Sequence, residues 1–124
     1  MLENKLKLIV LTLTCTASLY ATDIRSLLFH GNCITCHAEH TSISAPSIDE
    51  IKENYLRAFP NKKDFVAYMS KWVVKPKEET SLMLDAIKKY ELMPELGFDE
   101  STTRDIASYI YDTDFSKEHE GHED

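Results

Sequence analysis

Five consecutive residues, Cys33-Ile34-Thr35-Cys36-His37, constrain this chain more tightly than anything else in its 124 positions. Two thiols three positions apart share one face of a helical turn, and an imidazole follows at once. A disulfide across two intervening residues closes a very small loop and staples almost nothing, so the pair calls for another use. A redox-active dithiol has the same C-x-x-C spacing but sits beside a βαβ pattern. A four-ligand zinc site needs two more donors. His40 is close enough for one, and the other must come from elsewhere in the chain. The full C-x-x-C-H pattern is that of c-type haem attachment. In it both thiols reach the two vinyl groups of one porphyrin edge, and the next residue brings its imidazole to the iron.

The segment before the motif separates from the fold. Lys5 and Lys7 precede a mostly apolar run, Leu8 to Leu19, and Ala21 offers a small residue for cleavage. That is the order of a secretory signal, so residues 1–21 are expected to be a signal peptide; an uncleaved anchor is the alternative. The run is short for a membrane span, which needs roughly 20 apolar residues. Cys15 lies inside it without the small-residue pattern of a lipoprotein site, which leaves Cys33 and Cys36 as the cysteines of the mature chain. Export to the periplasm follows, with no stable membrane insertion after cleavage.

The rest reads as helices. Gly and Pro number only three and four, too few for a turn-rich all-β fold, and no alternating strand stands out. Asp23 to Asn32 is expected to be a helix with Ile24, Leu27 and Leu28 on its inner face. Asp49 to Phe59 follows, with Ile51, Tyr55 and Phe59 at four-residue spacing, and Pro60 stops it. Asn61 caps a third helix whose stripe is Phe65, Tyr68, Met69, Trp72 and Val73. Glu78 to Glu91 is expected as a fourth, with Met83, Ala86, Ile87 and Tyr90 inward. After the break Met93-Pro94-Glu95-Leu96-Gly97, Asp99 caps a last helix carrying Ile106, Tyr109 and Ile110.

The expected organisation is therefore a signal at 1–21, one all-α domain at 22–111 and an acidic, disordered tail at 112–124. The net charge of −7 belongs largely to that tail, where Asp112, Asp114, Glu118, Glu120, Glu123 and Asp124 face only Lys117. No basic stripe exists, which argues against nucleic acid as a partner.

A haem held by His37 takes a second axial ligand on its other face, and methionine suits electron transfer. Met69 and Met83 fall on helical stripes, where a thioether usually fills core space. Met93 stands at the Met-Pro break and is the expected ligand, with the other two as alternatives. His30 reads as a surface or haem-edge residue. His119 and His122 read as solvated, with weak metal binding as the alternative.

Phe29 to His37, Pro46, Met93-Pro94 and Ile106-Ala107-Ser108-Tyr109-Ile110 together resemble a class I cytochrome c of the monohaem, bacterial type. The order is that family's: haem motif first, methionine late, closing helix last. The resemblance implies four to five helices wrapped around one covalently bound haem c. It implies that the aromatic at Phe29 packs on the last helix and that the Pro46 carbonyl accepts the ring N–H of His37, which orients the imidazole and raises its basicity. Two features depart from the pattern. Arg25 stands where the family has a glycine at the crossing of first and last helices, and the middle, residues 52–90, is longer and more helical than in the shortest bacterial members, with Trp72 aligning with no known haem contact.

The function so implied is that of a carrier rather than an enzyme. One electron at a time would pass between other redox proteins of a respiratory or periplasmic chain, with both axial sites filled. The alternative is a haem-bearing sensor, or a dedicated donor subunit of a redox enzyme, whose distal site is open or weakly held.

Overall fold

The computed structural model describes residues 23–117, and within them the chain is all-helical, with no strand. Residues 1–22 and 118–124, and with them the signal, His119 and His122, lie outside the described residues.

Side-chain caps set four of the helix starts. In α1 (Ile24–Asn32) the Asp23 carboxylate accepts from the Arg25 N–H. In α2 (Ile48–Ala58) the Ser47 hydroxyl accepts from Glu50, and in α3 (Lys62–Val74) the Asn61 side chain accepts from Asp64. After a single 3₁₀ turn (Glu78–Thr80) comes the short α4 (Leu84–Tyr90). In α5 (Glu100–Asp112) the Asp99 carboxylate accepts from Thr102. Each cap satisfies a backbone donor that the first helical turn leaves orphaned.

The packing is organised around α5, which lies against both α3 and α1. Small side chains let α3 and α5 approach: Ser70 and Ala107 are fully buried, and the Thr103 hydroxyl donates to the Ser70 carbonyl at 3.0 Å. Large ones fill the flanks. Phe29 and Phe65 are fully buried, with ring centroids 5.1 Å from Tyr109 and 5.2 Å from Tyr111 respectively. Arg25 occupies the rim of the α1–α5 crossing, its guanidinium donating to Ser108 Oγ and Asp112 Oδ2, each at 3.0 Å. The arginine spans the crossing as a polar strap where the family resemblance expects a glycine contact.

Three expectations need correction. First, Ile24 and Leu27 do not face inward: they are 60% and 55% exposed, while Phe29 is the buried residue of α1. The helix is held to α5 through Phe29 and Arg25, and a nine-residue helix docked by that side must turn Ile24 and Leu27 outward. Second, the helix expected over 78–91 is broken. The Ser81 hydroxyl accepts the Met83 N–H at 3.0 Å, and this local bond competes with helical pairing, so the chain runs extended before α4 begins. Third, the tail does not leave the body at residue 112. Phe115 is 3% exposed, packs 5.4 Å from Phe29 and carries Lys52 Nζ 5.8 Å above its ring. Lys52 also donates to the Thr113 carbonyl. The body extends through these residues because one aromatic in a polar stretch found an aromatic socket.

Candidate functional site

The cysteine motif continues α1 as a turn. The Cys33 N–H donates to the Phe29 carbonyl, and the His37 N–H donates to the Cys33 carbonyl, both at 2.9 Å. That winding sends Cys33, Cys36 and His37 to one side, where all three line a single cavity of about 260 Å³. Ile34 and Thr35, between them, do not line it.

The chain then folds back on itself. Ile48 and Asp49 donate their N–H groups to the carbonyls of Ala38 and Glu39, which carries residues 38–47 around as a loop and returns Pro46 to the motif. His37 Nδ1 lies 2.8 Å from the Pro46 carbonyl oxygen. A carbonyl only accepts, so Nδ1 carries the hydrogen and Nε2 keeps the lone pair that a metal uses. An imidazole half-buried and fixed in this tautomer is ready to serve as a ligand.

The remaining walls are apolar. Ile48, Ile51 and Tyr55 come from α2; Met69, Trp72 and Val73 from α3; Ala86, Ile87 and Tyr90 from α4; and Ile106, Ala107 and Ile110 from α5. Leu92, Met93, Pro94, Leu96 and Phe98 close the cavity from the irregular segment after α4. Trp72 is anchored by its indole N–H, which donates to the Lys77 carbonyl at 3.0 Å. Walls of this kind suit a flat, largely apolar group with a few anchoring donors at one edge.

Burial pushes the Cys33 thiol up to about 11, with the neighbouring Cys36 adding to the effect. Cys33 is thus a thiol near neutral pH, whereas the attacking sulfur of a redox dithiol is a thiolate with a depressed value. The zinc alternative fares no better. His40 turns to Asp49 and Glu39 rather than to the cysteines, and no three His, Cys, Asp or Glu side chains among the described residues are placed to hold a metal ion. His30 also lies off the cavity, edge-on to Phe29. The donors that fit a covalently held haem are Cys33 and Cys36 for attachment and His37 for the iron.

All three methionines among the described residues, Met69, Met83 and Met93, reach the same cavity. Met69 is 4% exposed and packed into the core of α3, which is the position of a filler. Met83 and Met93 are half-buried on irregular backbone at the two ends of α4. Just before Met93, Glu91 ends α4 at φ 72° and ψ 171°, a region that favours glycine. The turn at Glu91 starts the segment that carries Met93, Pro94 and Phe98 along the cavity wall.

The sequence reading marked the apolar stripes of α3 and α4 that line the cavity but missed the walls from Leu92, Leu96, Phe98 and Ile48. Leu92, Leu96 and Phe98 were signalled only by an unusual density of apolar residues in a stretch without periodicity, and Ile48 stands at the first position of α2. Among the described residues no helix is long and apolar enough to cross a membrane. Comparison with protein-family models, with curated proteins and with solved structures finds no match to this chain.

Proposed function

We propose that this chain is an exported, single-haem c-type electron carrier. The observation that carries the reading is His37: its Nδ1–H is fixed on the Pro46 carbonyl, in a turn that puts it beside both motif thiols on an apolar cavity. Cys33 and Cys36 would hold the haem c, and His37 and Met93 would be the axial ligands, with Pro46 setting the tautomer of His37.

A bound haem supplies a one-electron iron couple, and the chain's own residues do the rest. His37 offers a fixed, basic nitrogen. Met93 offers a soft sulfur, which favours the reduced iron and raises the potential. The walls from α2, α3 and α5 exclude water and lower the local dielectric, so little reorganisation accompanies transfer. With His37 and Met93 both holding the iron, the protein would offer no open position for a substrate and would act as a carrier between redox partners, not as an enzyme. Cys36, which lines the cavity and is itself exposed, would mark the edge by which an electron enters or leaves. Export through residues 1–21 puts the carrier in the periplasm, where those partners would be other redox proteins.

The test is chemical. Chain produced with haem-maturation machinery is expected to keep its colour after denaturation and acid–acetone extraction, with one haem per mature chain by mass spectrometry. A colourless protein, or haem that extracts, would sink the reading. A ferric protein without the weak near-red band of a thioether–iron bond, which binds carbon monoxide readily when reduced, would favour the sensor over the carrier.

A further inference from the structure

We propose that Lys71, Lys75 and Lys77, set around Trp72 at the end of α3, form the docking face for an acidic redox protein, with Trp72 as the bridge from that face to the cavity. The inference rests on the carrier reading above and names the charge of the partner and the place where it meets the chain.

The three lysines differ from the other cations of the molecule. Arg25, Arg57, Lys62, Lys88, Arg104 and Lys117 all form ion pairs with carboxylates. Lys71, Lys75 and Lys77 are exposed, and among the described residues their side chains have no ion pair and no hydrogen bond. Glu78 and Glu79 follow directly and pair with none of them. A chain of net charge −7 that leaves these cations uncompensated between residues 71 and 77 keeps a local field of the opposite sign.

The stretch is also held still. Lys75 ends α3 with its N–H on the Lys71 carbonyl, so the two side chains stand one helical turn apart. Beyond Lys75, two aromatics of α3 bind the departing backbone. The Trp72 indole donates to the Lys77 carbonyl at 3.0 Å, and the Tyr68 hydroxyl donates to the Thr80 carbonyl at 2.6 Å. The chain from Lys75 to Thr80 is thereby tied to α3, and docking on a face already ordered costs little entropy. None of the three lysines lines the cavity; they flank an open face, which suits a broad acidic surface better than a small anion.

Trp72 joins this face to the interior. It is half-buried, it lines the cavity, and its indole N–H is on the backbone of Lys77. In the docked pair one electron would pass from a ferrous haem, which becomes ferric, to the oxidised one-electron centre of the partner, which becomes reduced. No bond forms or breaks and no proton moves. The indole carries the path through the wall and is itself neither oxidised nor reduced.

The test has a docking arm and a rate arm. For docking, a polyglutamate peptide is titrated into the isotope-labelled full mature chain at low ionic strength and followed by NMR. Cys33 and Cys36 carry haem or, where none attaches, are alkylated. The expected shifts centre on the Trp72 indole N–H and the amides of residues 71–77 and fade as salt is raised. They should vanish when Lys71→Gln, Lys75→Gln and Lys77→Gln are combined, and stay in Lys63→Gln and Lys88→Gln. Shifts centred elsewhere, or surviving the triple substitution, would overturn the face. So would tighter binding of phosphatidylglycerol vesicles than of peptide, which assigns the lysines to lipid headgroups. Self-association at low salt that the triple substitution abolishes would assign them instead to a second copy. For the rate arm, ferrous haem protein is mixed with an oxidised acidic blue-copper protein. The triple substitution should lower the second-order rate by about 10-fold at low salt. Trp72→Leu should slow transfer within the docked pair severalfold, with the amide shifts of residues 71–77 kept, and Trp72→Phe should restore most of the rate. Unchanged transfer in Trp72→Leu would remove Trp72 as the bridge. Failure of haem to attach would sink the carrier reading, while the docking arm would still decide the face.

Discussion

The two halves of this molecule are built from similar apolar residues and use them in opposite ways. Where α1, α3 and α5 meet, side chains find one another: Phe29, Phe65, Ala107 and Phe115 are at most 3% exposed, and aromatic rings pack tilted or edge to face. Around α4 and residues 91–98, Met83, Ala86, Ile87, Met93 and Phe98 are half-buried and face a cavity instead of a neighbour. Among the helix pairings with substantial contact, α4 takes no part. One half is a finished core, and the other is a wall that would find its partner in the proposed haem. Stability in such a molecule divides by region, and each region should answer to a different perturbation.

The largest expected effect comes from denying the second half its partner. Cys33→Ser combined with Cys36→Ser, made without haem, should leave the amides of α4 and residues 84–98 exchanging almost as fast as an unfolded chain. Those of α5 should keep strong protection. Hydrogen exchange read by mass spectrometry decides this, and uniform protection across both regions would dissolve the distinction between them. Next in size is Phe115→Ala. A fully packed aromatic is lost, so denaturant unfolding should show about 3–5 kcal/mol of destabilisation, although the residue sits in what reads as an acidic tail. A loss under about 1 kcal/mol would return Phe115 to the tail.

Met93→Ala probes the wall without touching the core. In the haem-loaded protein it should abolish the thioether–iron band, lower the potential and open the iron to carbon monoxide, with the denaturation midpoint moving less than for Phe115→Ala. If Met83→Ala does this instead, the ligand sits at the other end of α4 and the carrier function stands. Glu91→Gly relieves a positive φ at the start of the same segment and should raise stability by about 1 kcal/mol or slightly more.

The smallest effect concerns a charge on the core side. The ammonium of Lys62, bonded to Asp112 at 2.7 Å, is the main cause that holds the Asp112 carboxyl below its usual value, with Arg25 assisting. A depressed carboxyl stabilises the folded state above its unfolded-state value, and that contribution fades as pH falls through the folded one. Asp112→Asn should therefore lower the melting temperature near neutral pH by about 2 °C or less, with the difference vanishing in acid.

How far the sequence reveals this structure depends on the range of the interaction concerned. Asn61 and Asp99 announce the starts of α3 and α5 because a cap acts over three residues, and the Phe65–Met69 and Ile106–Ile110 spacings announce their buried faces. The Cys33–His37 turn is equally local. Phe115 is not legible, since its burial depends on Phe29, far away in the chain, and its own neighbours are polar. The break at Ser81 turns on one hydroxyl choosing a nearby N–H over solvent, which helical periodicity does not encode. The Pro46 carbonyl is a backbone atom and has no signature of its own; only the family resemblance suggested it.

The position of Arg25 against Ser108 carries a consequence for the order of events. These two residues are 83 positions apart, and α1 has α5 as its main helical partner. Contacts so distant in sequence form late, after the intervening chain exists and its loop has closed. The segment bearing Cys33, Cys36 and His37 is therefore made early and roofed last. Under the proposed haem attachment both thiols would stand open during that interval, and the closing of α5 over α1 would leave Cys33 half-buried and Cys36 exposed.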